Sequence, residues 1–146
     1  HVAMRRITEN WGRDDAPHYK RSRMEDERTA SVASCVSELA VAKATNRYWS
    51  GHVWASLNHC KYRALPDVGK NIEVRRIRTR KAAAVRRHQV GKGLVLFVAE
   101  PVMPEMTLCI VHGWMNYDEA WERGVVADYD PDNTRLIDIK ELTEIV

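Results

Sequence analysis

Apolar positions in the first third of the chain recur at helical spacing. In SRMEDERTASVASCVSELAVAKATN, residues 22–46, Val32, Cys35, Val36, Leu39 and Ala40, followed by Lys43, follow a 3.6-residue repeat, which predicts a helix turning one face to a core. Ser22, with Glu25 three residues on, has the form of a capping box, and Glu25, Asp26 and Glu27 complement the positive end of a helix dipole. The helix is therefore expected to start at Ser22. Glu38 falls within the apolar region, with Cys35 before it and Val41 and Ala42 after it at helical neighbour spacing. A carboxylate is thereby placed at the edge of a buried face.

Residues 47–63 are aromatic-rich and broken by Gly51, which fits a loop and a short strand, with helix and strand not separable by periodicity. From Ala64 the period becomes two. Ala64 to Asp67 enters, Val68 to Asn71 turns and Ile72 to Arg80 returns, the pattern of a hairpin. Alternation puts Ile72 and Val74 on one face of the returning strand and Glu73 and Arg75 on the other. Gly93 to Pro101 is nearly continuous in apolar residues and predicts a strand buried on both faces. Thr107 to Trp114 predicts another, ended by Gly113. Asn116 to Gly124 reads as a short helix stopped by its glycine, DYDPDN as a turn, and RLIDIKELTEI as a closing strand or helix. Residues 1–21 mix both charge signs with Gly12 and Pro17 and predict an irregular arm. The order implies an α/β fold, with residues 22–146 as one domain whose helices pack on a mixed sheet.

Length and composition agree with a single core: 146 residues, 45% hydrophobic and 29% charged. No apolar run approaches the roughly 20 residues that span a bilayer, so a membrane partner is not expected. The first residues carry no apolar leader, and Cys35, Cys60 and Cys109 are an odd number without CxxC spacing. Both features point to a reducing, cytoplasmic setting. Charge changes the picture more. The net value is +3, but Arg75 to Lys92 holds eight basic residues and no acid, leaving −5 for the remainder. Such a stripe is the electrostatic footprint of a polyanion partner. It contains no aromatic residue to stack on bases, which favours backbone contact with double-stranded DNA.

Within this frame the stretch ALPDVGKNIEVR carries candidate chemistry. A hairpin brings Asp67 and Glu73 near each other, and two close carboxylates need a cation between them or a proton on one. Mg²⁺ is held by one or two carboxylates with waters and phosphate oxygens completing its shell. Glu38 offers a third carboxylate and Val74 a backbone carbonyl. Arg75, on the face of Glu73, is set to meet a phosphate.

Pro66-Asp67, five residues, then Glu73-Val74-Arg75, preceded by a helix bearing Glu38 in SELAVAK, resembles the PD-(D/E)xK nuclease superfamily, especially its small phage-type members. The likeness covers about residues 31–146. It implies a restriction-endonuclease-like core, a helix followed by an antiparallel strand meander in a mixed sheet flanked by helices. It also implies a metal-dependent endodeoxyribonuclease with Mg²⁺ or Mn²⁺ on Asp67 and Glu73, and Glu38 as the accompanying helical acid. Where that family has lysine this chain has Arg75, and an arginine stays protonated and does not serve as a base. It still stabilises charge on phosphate oxygens. Lys70, Arg76, Arg78, Arg80, Lys81, Arg86 and Arg87 are the expected DNA contacts, and a homodimer is compatible with cutting both strands.

Other readings stay open. Asp67 also suits a turn cap, and Glu73 with Arg75 a surface pair on an edge strand. A non-catalytic DNA-binding protein on the same fold is the alternative function, and a module for an acidic protein partner a third. His52, His59 and Cys60 lack zinc spacing; Asp128, Asp130 and Asp132 begin like a calcium loop, but Asn133 and Ile139 occupy its glycine and glutamate positions. Walker and GxGxxG patterns do not occur.

Overall fold

The computed structural model describes residues 1–10, 26–53 and 65–145. Helix α1 spans Val2–Asn10 and α2 Glu27–Thr45. Strand β1 is Ile72–Arg76, β2 Ala82–Arg86, β3 Val95–Pro101 and β4 Cys109–Asn116. Helix α3 is Tyr117–Arg123, followed by β5, Val125–Val126, and β6, Thr134–Asp138. Short 3₁₀ turns lie at Arg87–Gln89 and Ile139–Glu141. The chain is thus α/β.

Two small sheets form, in the orders β1-β3-β4 and β2-β6-β5. The first packs one face on α2 through Val68, Ile72, Val74, Phe97 and Ala99 against Val41 and Ala42. Its other face, carrying Ile77, Leu96 and Val98, closes a second core with Val85 and Ile137 of the second sheet and Tyr117 and Trp121 of α3. β3 is buried on both sides, as its unbroken apolar run predicts. β1 and β3 pair in parallel, and β3 with β4 antiparallel. An antiparallel meander was expected. The chain between β1 and β3 holds all of β2, long enough for the crossover that parallel strands need.

Several boundaries differ from expectation. Residues 2–10 are helical, not irregular, because Val2, Ala3, Arg6 and Ile7 form a stripe that lies on α2. The cap of α2 is Asp26, whose carboxylate accepts the Thr29 N–H at 2.7 Å; Ser22 and Glu25 lie outside the described residues. The hairpin is minimal. Val68 and Ile72 exchange both backbone hydrogen bonds at 3.1 Å across Gly69, Lys70 and Asn71, and Gly69 takes φ +58° to close the turn. The returning strand ends at Arg76 rather than Arg80. β4 runs through Gly113, where a bulge shifts its register, and α3 is capped by the Asn116 side chain. The basic stretch contains β2, which belongs to the second sheet. Among the described helices none is long and apolar enough to cross a membrane.

Candidate active site

Among the described strands β1 lies at the edge of its sheet, and the edge turned away from β3 organises the site. The Val95 N–H donates to the Asn71 carbonyl at 2.8 Å, and the Ile77 N–H to the Ala99 carbonyl at 2.9 Å. Parallel-ladder alternation therefore turns the backbone groups of Ile72 and Val74 to the opposite edge. Ile72 finds Val68 there. The Val74 N–H finds Asp67 Oδ2 at 2.9 Å, so a carboxylate stands where a neighbouring strand's carbonyl would be. The Val74 carbonyl points to the same edge as Asp67.

Asp67 is itself held from behind. Trp49 and Val68 form an antiparallel bridge, and His52 Nε2–H donates to the Pro66 carbonyl at 2.9 Å. Burial pushes the Asp67 carboxyl well above its ordinary value, and the charges of Glu73 and Glu38 push it further. The Val74 hydrogen bond and Arg75 oppose this without cancelling it.

Glu73, 7% exposed, points to the face opposite α2, where Arg75 Nη2 lies 3.3 Å from its Oε1. The Arg75 guanidinium also donates through Nη2 to Gln89 Oε1. That oxygen accepts the Tyr117 hydroxyl at 2.7 Å, and the Tyr117 oxygen accepts the Arg86 N–H at 2.8 Å. A chain of hydrogen bonds from β2 and α3 thus fixes the guanidinium. Burial works against its charge, and Glu73, Tyr117 and Asp67 outweigh that, raising its pKa. Arg75 Nε is buried and has no hydrogen-bond partner among the described residues. A buried N–H donor of this kind is uncommon and calls for an acceptor.

Glu38, 6% exposed, comes from α2. Arg6 of α1 binds it through both terminal nitrogens, at 2.8 Å to Oε1 and 3.1 Å to Oε2, and the Trp49 indole donates to Oε2 at 2.7 Å. Arg6 Nε reaches the His52 carbonyl at 2.8 Å. The pairing raises the Arg6 pKa despite burial. Three carboxyl groups thus meet two arginines, which leaves one negative charge in excess if all are ionised. Asp67, with its pKa raised, is the carboxyl among them that most readily takes up a proton or a cation's charge to offset that excess.

The expected residues do not all converge. Asp67, Glu73, Arg75 and the Val74 backbone do, while Glu38 stands behind them with its oxygens engaged. Among the described residues no group of three or more His, Cys, Asp or Glu side chains forms a metal-binding cluster. Asp67 and Glu73 with the Val74 carbonyl nevertheless suit Mg²⁺ or Mn²⁺: the donors are hard oxygens, the site is short of positive charge, and such ions need only one or two carboxylates. Lys70 is exposed on the turn, Arg78 and Arg80 are exposed, and Arg76 is half-buried. Lys81 pairs with Glu100 at 2.7 Å. Arg86 is drawn into Asp130, at 3.5 Å, and Thr134, and Arg87 donates to the Asp132 carbonyl at 2.5 Å, its guanidinium carbon 5.2 Å from the centre of the Trp121 ring. These last two serve the second sheet. Asp130 is likewise a turn ligand, accepting the Thr134 hydroxyl at 2.7 Å. His59 and Cys60 lie outside the described residues.

Four residues at the site escaped sequence reasoning: Arg6, Trp49, Gln89 and Tyr117. Gln89 follows Arg86-Arg87-His88 with no pattern to mark it, and Arg6 sat in an apparent lead-in. No protein-family model, curated protein or solved structure matches the chain.

Proposed function

We propose that the protein is a metal-dependent endodeoxyribonuclease of the PD-(D/E)xK type, hydrolysing phosphodiester bonds of DNA. The observation that carries this reading is the half-buried Asp67 carboxyl, its pKa pushed up by desolvation and by the charges of Glu73 and Glu38, with an acceptor-seeking Arg75 Nε alongside. Asp67, Glu73 and the Val74 carbonyl would hold Mg²⁺ or Mn²⁺, which when bound lowers the pKa of water and polarises a phosphoryl oxygen. Arg75 would stay protonated and receive the phosphate, its Nε–H offering a donor to an oxygen on which charge develops. Gln89, itself held by Tyr117, keeps that guanidinium in place beside Glu73. Glu38, paired with the Arg6 guanidinium and accepting the Trp49 indole N–H, acts as a positioning acid behind Asp67. The exposed cations Lys70, Arg78 and Arg80 attract the DNA backbone.

Supercoiled plasmid incubated with Mg²⁺ or Mn²⁺ tests the reading. The wild type is expected to nick it, with Asp67→Asn and Glu73→Gln each reducing the rate at least about 100-fold and Arg75→Ala about 10²–10³-fold. Metal-independent retention of DNA without nicking would instead favour the non-catalytic binding protein. Binding to no form of DNA at low salt would remove both.

A further inference from the structure

A second concave site lies where β1 and β3 end and β4 begins. It is a groove of ≈ 600 Å³ whose walls include Ile77, Pro101, Met103 and Ile110, with Arg76 and Arg78 at its margin. Its size is that of a small-ligand pocket, and its apolar floor is unusual on a face beside so many cations. Met103 and Ile110 are 46% and 50% exposed, and Val102 and Leu108 at the same end 41% and 69%. A contiguous apolar surface of this kind marks a contact site. One wall carries a fixed polar group. Glu100 Oε1 accepts from His112 Nε2 at 2.8 Å, and Lys81 Nζ donates to Oε1 and Oε2 at 2.9 and 2.7 Å. Each carboxylate oxygen accepts two hydrogen bonds, so Oε2 keeps capacity for another donor.

The groove and the candidate active site share a strand. Glu73 and Ile77 are four residues apart, about 13 Å along extended chain. That spans a few nucleotides of one DNA strand. An occupant must combine apolar faces, a hydrogen-bonding edge and a negative charge within one unit. A nucleotide has all three.

Resting on the nuclease reading, we infer that this groove receives an extruded, unpaired nucleotide near the scissile phosphate. The base lies against Ile77, Met103 and Ile110, its amino edge meets Glu100, and its phosphate meets Arg76 and Arg78. The substrate preferred is then DNA with an unpaired base, whose unstacking costs least. None of the described lining residues is aromatic, and apolar side chains take the place of a stacking platform.

Binding without divalent metal separates this inference from catalysis. A fluorescent duplex with a single-nucleotide bulge and the same duplex fully paired are titrated with the protein in EDTA, by anisotropy. The bulged duplex is expected to bind at least about tenfold tighter, the worth of one well-placed base contact. Ile110→Glu and Met103→Glu, both at exposed positions, should remove the preference, whereas Tyr129→Glu on the β5–β6 turn, adding the same charge outside the groove, should keep it. Equal affinity for the two duplexes, or a preference that survives both groove variants, overturns the inference. Plasmid nicking measured in parallel reports on the nuclease reading alone, so failure of one is distinguishable from failure of the other.

Discussion

Asp67 is the residue with the most opposed demands on it. Its folded-state pKa is raised above the ordinary 3.8, so the folded protein binds a proton that the unfolded chain releases more readily. Stability is therefore fullest below the unfolded value and is lost as pH rises from there through the raised one. Removing the charge should reverse this. Asp67→Asn is expected to be more stable than wild type at pH 8, by on the order of 1 kcal/mol, and to lose that advantage at pH 4, as urea denaturation at the two pH values would read. An unchanged difference between pH 4 and pH 8 would show that the carboxyl is not strained by its neighbours. Mg²⁺ should narrow the gap at pH 8 by stabilising the charged form.

The elements show where the sequence was informative. Helix α2, strand β3 and helix α3 were legible because each buries a face at its own period, and the turn at Gly69 was legible from its residue types. The pair Asp67 and Glu73 was legible for the same reason, since a short hairpin fixes both. Arg6, Trp49, Gln89 and Tyr117 were not, because they reach the site through side-chain hydrogen bonds between residues 11 to 46 positions apart, which leave no period. β2 was hidden by its charge. It alternates Ala83 and Val85 inward, but flanking arginines made the stretch read as a cationic footprint for DNA. Gly113 was read as a strand end and is instead what lets β4 continue: at φ +153° it passes the tail, where Trp114 and Thr143 exchange backbone hydrogen bonds at 2.9 Å. A Cβ there would run into the Thr143 carbonyl. Gly113→Ala should cost about 2–3 kcal/mol, seen as a lower urea midpoint at unchanged slope. A midpoint equal to wild type would show that the tail does not need this passage.

At the scale of the molecule, the cationic stripe is divided between two tasks. Arg86 and Arg87 are turned to the second sheet and hold Asp130, Thr134 and the Asp132 carbonyl, while Arg76, Arg78 and Lys81 line the groove and Lys70 and Arg80 are exposed. The number of phosphates engaged is then smaller than the sequence suggests. A plot of log affinity against log salt for a paired duplex should have a slope between about −3 and −5, and Arg86→Gln should lower stability without altering it. A slope steeper than about −6 would mean that the β2 arginines face the DNA as well.

The hydrogen bond from the Val74 N–H to Asp67 has a bearing beyond electrostatics. Edge strands invite another chain to pair with them, and folds protect such edges with charges, bulges or covering segments. At β1 the protection is a catalytic candidate: its carboxylate occupies the donor that an incoming strand would use, and its charge repels the backbone that would bring it. The acid proposed to hold the metal is in this sense also the guard against self-association along β1. Asparagine at this position keeps an oxygen on the donor and removes only the charge, whereas alanine would open the edge, so a loss of activity in Asp67→Ala could reflect aggregation as readily as chemistry.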